Sequence, residues 1–136
     1  MDIQAFNKAN IAEFRANGGK VGGSFAGASL LLLTTVGAKS GLARTNPLAY
    51  FIDRDRYIVM ASYAGAPDNP PWYFNLLANP EVSIEVGTEQ FKARAEVVAE
   101  PERSALYAKA EAMSSAFTDY QRKTTRVIPV VALNRC

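Results

Sequence analysis

The chain contains no histidine, and its only cysteine is the last residue, Cys136. These gaps exclude zinc sites built from Cys and His, Ser-His-Asp triads and Cys-His pairs. They also exclude a disulfide within the chain, so a cytoplasmic compartment is expected. Long apolar runs are lacking too. The longest, around Leu30–Leu33, falls far short of the roughly 20 residues a membrane-spanning helix needs. The opening stretch MDIQAFNKANIAEFR has neither the basic start nor the apolar run of a signal peptide. Charge of one sign is scarce: a net charge of +2 is too small to argue for a nucleic-acid partner, and none is expected. Asp and Glu are scattered without a clustered motif, so no metal site is expected.

What is present is a soluble globular composition, 136 residues with 49% hydrophobic and 21% charged, enough for a sizeable core in a single domain over residues 1–136. Ile3, Phe6, Ile11 and Phe14 recur at helical spacing, which predicts an amphipathic helix over residues 2–16 that stops at Asn17-Gly18-Gly19. A Gly-rich loop runs from Gly18 to Gly27. Leu30–Val36 reads as a buried strand, Thr45–Ile52 as a second and Tyr57–Ser62 as a third. Pro70–Ala78 reads as a short helix closed by Asn79-Pro80. Val82, Ile84 and Val86 alternate with Ser83 and Glu85, then Phe91, Ala93, Ala95 and Val97 with Lys92, Arg94 and Glu96. With Gly87-Thr88 between them, the two runs predict a hairpin. Pro101 opens a helix to about Met113, a less regular stretch runs to Arg126, and Val127–Leu133 is a last strand that Pro129 places at an edge or bulge. Short turns between successive strands predict a mainly β, antiparallel α+β fold, a small barrel with flanking helices rather than a Rossmann fold.

The segment Val36-Gly37-Ala38-Lys39-Ser40-Gly41-Leu42-Ala43-Arg44-Thr45-Asn46-Pro47 carries the most chemistry. Its glycines allow a tight turn that brings backbone N–H groups near an anion. Lys39 adds a mobile point charge, Arg44 a planar fork for phosphate or carboxylate, and Ser40 a hydroxyl. By itself the segment fits an anion site of unspecified identity or an ordinary solvated basic turn. It is not a Walker A loop, because the spacing of its glycines before Lys39 is wrong.

Three ordered motifs go further. Leu32–Gly41 with Arg44–Leu48 resembles the deazaflavin-dependent nitroreductase family of actinobacteria, whose coenzyme is F-420. Pro71–Pro80 resembles that family's second signature, and Asp119–Gln121 with Ile128–Val131 resembles its C-terminal end. The resemblance spans roughly residues 12–135. It implies an FMN-binding-like split β-barrel with one deazaflavin coenzyme in a groove. It implies that Lys39, Ser40, Arg44 and Pro47 hold the phosphate and its oligoglutamate extension. Met60, Ala61 and Ser62 would lie along the ring, Trp72 beside the coenzyme, and Tyr120 near an open substrate face. The chain departs from the pattern at Ala38, where arginine is frequent, and at Tyr63, where lysine is common. Ser114 and Phe117 stand where two tyrosines are associated with nitroimidazole reduction. The resemblance therefore implies coenzyme binding more than prodrug reduction.

Hydride transfer from a cofactor needs neither a metal nor a protein nucleophile, which suits a histidine-free chain. The expected activity is delivery of a hydride from reduced F-420 to a small electrophile, namely a quinone, an activated enone or a nitroaromatic. Ser62, Tyr63 and Tyr120 are the candidate catalytic residues, as proton donors or substrate-face groups. The alternatives are an FMN-dependent split-barrel oxidoreductase, a non-catalytic F-420 carrier and an interaction domain with a basic turn. Monomer and homodimer are both left open, as is a peripheral membrane contact through Phe6, Ile11 and Phe14.

Overall fold

The computed structural model describes residues 3–19 and 29–136, with side chains from residue 8 onward except at position 64. Most of the expected Gly-rich loop, Lys20 included, and the side chains of Ile3 and Phe6 lie outside the described residues. Helix α1 spans Ile3–Ala16. Its Phe14 is buried against Leu30 and Leu32, with Ile11 alongside, so this part of the apolar stripe packs on the barrel. Arg15 forks onto Glu85 at 2.8 and 3.1 Å. The helix stops where Gly19 takes φ 96° and a Cβ would come within 2.7 Å of the Gly87 backbone, a close approach that needs glycine.

The strands are β1 (Leu30–Val36), β2 (Ala43–Ala49), β3 (Phe51–Asp53), β4 (Arg56–Met60), β5 (Glu81–Val86), β6 (Glu89–Val97) and β7 (Val130–Arg135). They form one antiparallel sheet in the order β2-β1-β5-β6-β7-β4-β3. The outermost strands, β2 and β3, are joined by Tyr50 alone. One residue reaches only about 3.6 Å, so the two edges must meet and the sheet must curl. That curl is the expected split barrel. At this junction the Tyr50 N–H donates to the Ser29 carbonyl at 3.2 Å, extending the β1–β2 ladder by one rung.

Side-chain alternation sorts the core into two layers. Leu31, Leu33, Val59, Ala61, Val131 and Leu133 fill the barrel interior with Trp72 and Leu76 of α2 (Pro71–Ala78). Ile58, Met60, Val130 and Ala132 point outward, beneath Leu106, Tyr107 and Ala110 of α3 (Glu102–Met113). Strands β4 and β7 are thus buried on both faces, each large side chain contributing about 1.5–3 kcal/mol. The β5–β6 hairpin follows its predicted alternation, apart from Val97, which is exposed.

Three expectations are corrected. The strand over Thr45–Ile52 is two strands broken at Tyr50, because its halves belong to opposite sheet edges. The last strand begins at Val130 and is interior, between β6 and β4. Pro129 is tolerated because it precedes the ladder, where its carbonyl accepts from the Ala61 N–H at 2.9 Å. The irregular stretch after Met113 contains helix α4 (Ser115–Lys123), started by Ser114, whose hydroxyl accepts from the Ala116 N–H.

Antiparallel register gathers the C-terminal ends of β1 and β4, the N-termini of β5 and β7 and the C-terminal end of β6 at one barrel end. The β1–β2 turn and the segment after Met60 therefore share that end, while the β3–β4 turn is at the other.

Candidate coenzyme site

The β1–β2 turn is internally bonded: the Gly37 N–H donates to the Leu42 carbonyl at 2.7 Å and the Gly41 N–H to the Gly37 carbonyl at 2.9 Å. Gly41 has φ 70°, in the left-handed region that favours glycine. The Ser40 hydroxyl oxygen accepts from the Leu42 N–H at 3.2 Å, which leaves its own proton to donate outward. Asn75 of α2 ties this turn to the core. Its side chain accepts from the Ala38 N–H at 3.0 Å and donates to the Thr35 hydroxyl at 3.1 Å, while itself buried. The hydroxyls of Thr34 and Thr45 meet at 2.8 Å across the strands.

This scaffold presents two cations. Lys39 and Arg44 are exposed, and among the described residues neither forms a hydrogen bond or an ion pair. Arg44 lies opposite Thr35 at the barrel rim. Pro47 is buried on the other face of β2, opposite Leu32.

At the same barrel end, β4 runs through Met60 into Ala61, Ser62 and a turn of 3-10 helix at Tyr63–Gly65. Tyr63 is half-exposed with φ 47°, a left-handed conformation rare for a non-glycine residue. Arg126 holds this segment. Its guanidinium donates to the carbonyls of Ser62 (2.9 Å), Ala66 (3.0 Å) and Ala61 (3.1 Å), and to the Asn69 side chain (2.7 Å). Burial pulls this guanidinium below the usual arginine range. Gly65 packs against α4, where a Cβ would sit 2.8 Å from the Tyr120 carbonyl oxygen. That contact brings Tyr120 beside the Ser62–Tyr63 segment.

A cavity of about 230 Å³ opens where the sheet edges meet, lined by Ala49, Tyr50, Met60, Met113, Ser114 and Phe117 among others. Phe117 stacks edge-on with Tyr120 at 5.9 Å and with Tyr107 at 6.2 Å. The Tyr107 hydroxyl donates to the Phe117 carbonyl at 2.6 Å, and burial pushes its pKa up to about 12, so it stays protonated.

The structure thus groups Lys39, Ser40 and Arg44 on the turn, and Ser62, Tyr63 and Tyr120 near α4. Met60 faces the seam cavity with Ser114 and Phe117. The Trp72 and Ala61 side chains are set apart from these groups, in the barrel interior. Among the described residues, the hydroxyls of Ser62, Tyr63 and Tyr120 have no hydrogen-bond partner. Sequence reasoning did not single out Asn75 or Arg126. Asn75 lies inside the second motif, but nothing local distinguishes Arg126 from a solvated arginine.

The sequence model of the F-420H(2)-dependent quinone reductase family matches residues 6–135. The chain belongs to that family. It is 41% identical over 128 residues to an F-420H(2)-dependent quinone reductase of Mycobacterium tuberculosis, an alignment covering 91% of this chain and 86% of that protein. Among solved structures, an F-420-H(2) dependent reductase (FDR-A) superimposes with a TM-score of 0.71 at 36% identity, covering 78% of this chain and 94% of that one. A second, described as a domain-swapped dimer, superimposes with a TM-score of 0.73 at 30% identity, covering 98% of this chain and all of that one, 100%. As a member of this family the chain has the split-barrel fold expected from its motifs. No helix of the described residues is long and apolar enough to cross a membrane, and no group of described residues could hold a metal ion.

Proposed function

We propose that this chain is an oxidoreductase that uses reduced F-420 to reduce a quinone, with Lys39 and Arg44 holding the acidic tail of the coenzyme. The observation that carries this reading is a pair of exposed cations without a partner among the described residues, Lys39 on the β1–β2 turn and Arg44 on β2, the strand that also borders the seam cavity. From Arg44 to Ala49, β2 covers five residue steps, about 17 Å at strand geometry. Five steps also turn Arg44 and Ala49 to opposite faces of β2, so an extended coenzyme, with its ring at the seam and its anionic groups at the cations, would cross the edge of this outermost strand. The cavity, about 230 Å³, is smaller than the roughly 300–1,000 Å³ that encloses a whole drug-sized ligand. It therefore houses the ring and leaves the tail along the surface.

The donor set fits the coenzyme. Lys39 supplies a point charge and Arg44 a bidentate fork for phosphate or carboxylate oxygens, and Ser40 adds its free hydroxyl proton. When bound, F-420 supplies the hydride. Met60, Met113 and Phe117 keep water from the seam, which protects a hydride donor from side reactions. Ser62 lies along the ring at the end of β4, while Pro47 and Ala61, both buried, act from beneath by fixing the strands that carry Arg44 and Ser62. Trp72 acts from beneath, as the interior anchor that fixes α2 and hence Asn75 and the cationic turn. A quinone that has accepted a hydride needs one proton to become the hydroquinone. The hydroxyls of Tyr120, Tyr63 and Ser62 would give it or relay it from solvent, a role supported by their having no hydrogen-bond partner among the described residues. Quinones are favoured over nitroaromatics because Ser114 and Phe117 leave the substrate face with fewer hydroxyl donors than a tyrosine pair would. Anaerobic mixing of reduced F-420 with a water-soluble naphthoquinone tests this. The absorbance of oxidised F-420 should return far faster with the protein than without it. Equal rates would contradict the assignment.

A further inference from the structure

We infer that Arg126 is a positioning residue for this reaction, holding residues 61–66 so that Ser62 and Tyr63 face the coenzyme ring. The inference rests on the proposed placement of Ser62 at the ring. Arg126 reaches Ser62 and Ala61 on one side of Tyr63, and Ala66 and Asn69 on the other. All four acceptors are uncharged, so Arg126 braces a shape rather than forming an ion pair. The shape needs bracing because Tyr63 is held at φ 47°. Strained conformations of this kind persist only where the surroundings over-determine them. Arg126 is itself fixed from α4. The Gln121 amide donates to the Arg126 carbonyl at 2.7 Å, and its oxygen accepts from the Ile128 N–H and from Arg103, each at 3.1 Å. A planar guanidinium can serve four acceptors in a fixed fork, whereas a lysine ammonium has three mobile donors and cannot reproduce it.

The test compares Arg126→Lys, Ser62→Ala and the double variant, reading kcat with a naphthoquinone and the Kd for F-420. Arg126→Lys should lower kcat about tenfold with Kd changed by less than about twofold, and the double variant should be no slower than the slower single one, as expected for coupled residues. A kcat within about twofold of the parent, or losses that multiply in the double variant, would overturn the inference. So would a fall in kcat matched by an equal rise in Kd, the signature of general damage. If Ser62→Ala alone runs at parental rate, the ring placement fails, and the role of Arg126 falls with it. If Arg126→Lys does not fold, Asn69→Ala removes one brace and keeps the guanidinium. A lower kcat at unchanged Kd then supports the role, and an unchanged kcat overturns it.

Discussion

The two ends of the barrel treat their cations in opposite ways. At the β3–β4 end, Arg56 lies 3.0 Å from both Asp53 and Glu102, and Lys109 lies 2.6 Å from Asp53. Arg54 adds a looser contact to Glu102 at 3.9 Å. These pairs tie the hairpin to α3. Lys109 and Arg56 hold the Asp53 carboxyl below its usual range, and Arg56 does the same for Glu102. At the β1–β2 end, Lys39 and Arg44 stand exposed with no acidic partner among the described residues. A cation kept unpaired on a rigid turn contributes nothing to the fold, and its charge is available to a ligand. The comparison sets cations committed to ion pairs against cations with no acidic partner among the described residues.

The largest expected effect comes from removing the unpaired cations. Each charge-assisted bond to an anionic group is worth about 1.5–3 kcal/mol. Lys39→Ala with Arg44→Ala should therefore weaken F-420 binding about 100-fold or more, with the melting temperature unchanged. Fluorescence titration and thermal melts read the two properties separately, and a loss of stability would break the distinction between the ends. Asn75→Ala should blur it instead. The Ala38 N–H and the Thr35 hydroxyl lose their partner inside the fold, at a cost of about 1–3 kcal/mol in stability, and affinity should fall as the turn loosens. Unchanged affinity would mean that α2 does not set the shape of the turn.

Arg56→Ala should do the reverse of the first pair. It leaves Asp53 and Glu102 short of a partner, so the melting temperature should drop by a few degrees while F-420 affinity stays constant. The smallest effect is in the acid limb. Because both carboxyls titrate lower in the folded chain, their stabilisation is complete above the unfolded values near about 4 and fades as pH falls through the folded ones. Asp53→Asn should accordingly lose less stability than the parent over that window, measured by melts at stepped pH. An identical slope would show that the network is inert.

The division between the ends was half legible in the sequence. The β1–β2 turn declares itself, because Gly37, Lys39, Gly41 and Arg44 lie within eight residues. The β5–β6 hairpin is equally plain from its alternation. What stayed hidden depends on partners far along the chain. Tyr50 looks like mid-strand until the sheet closes and its neighbours join opposite edges. Helix α4 is hard to read because its nine residues are mostly polar, none of them is buried, and only Phe117 and Tyr120 pack toward the core. Pro129 suggested an edge, yet it stops one residue short of an interior ladder. Arg126 owes its role to acceptors about sixty residues earlier, and no local pattern encodes that. The candidate residues on the turn could be read directly, whereas the residues proposed to brace the site could not.

The central claim is that the unpaired cations hold the acidic tail of F-420 while the seam takes the ring. Calorimetric titration of the parent and the Arg44→Ala variant, with F-420 and with its chromophore lacking the phosphate and oligoglutamate tail, tests it most directly. The parent should bind F-420 much more tightly than the tail-less chromophore, and Arg44→Ala should narrow that gap by about tenfold or more. An unchanged gap, with Arg44→Ala binding both ligands as the parent does, would contradict the account.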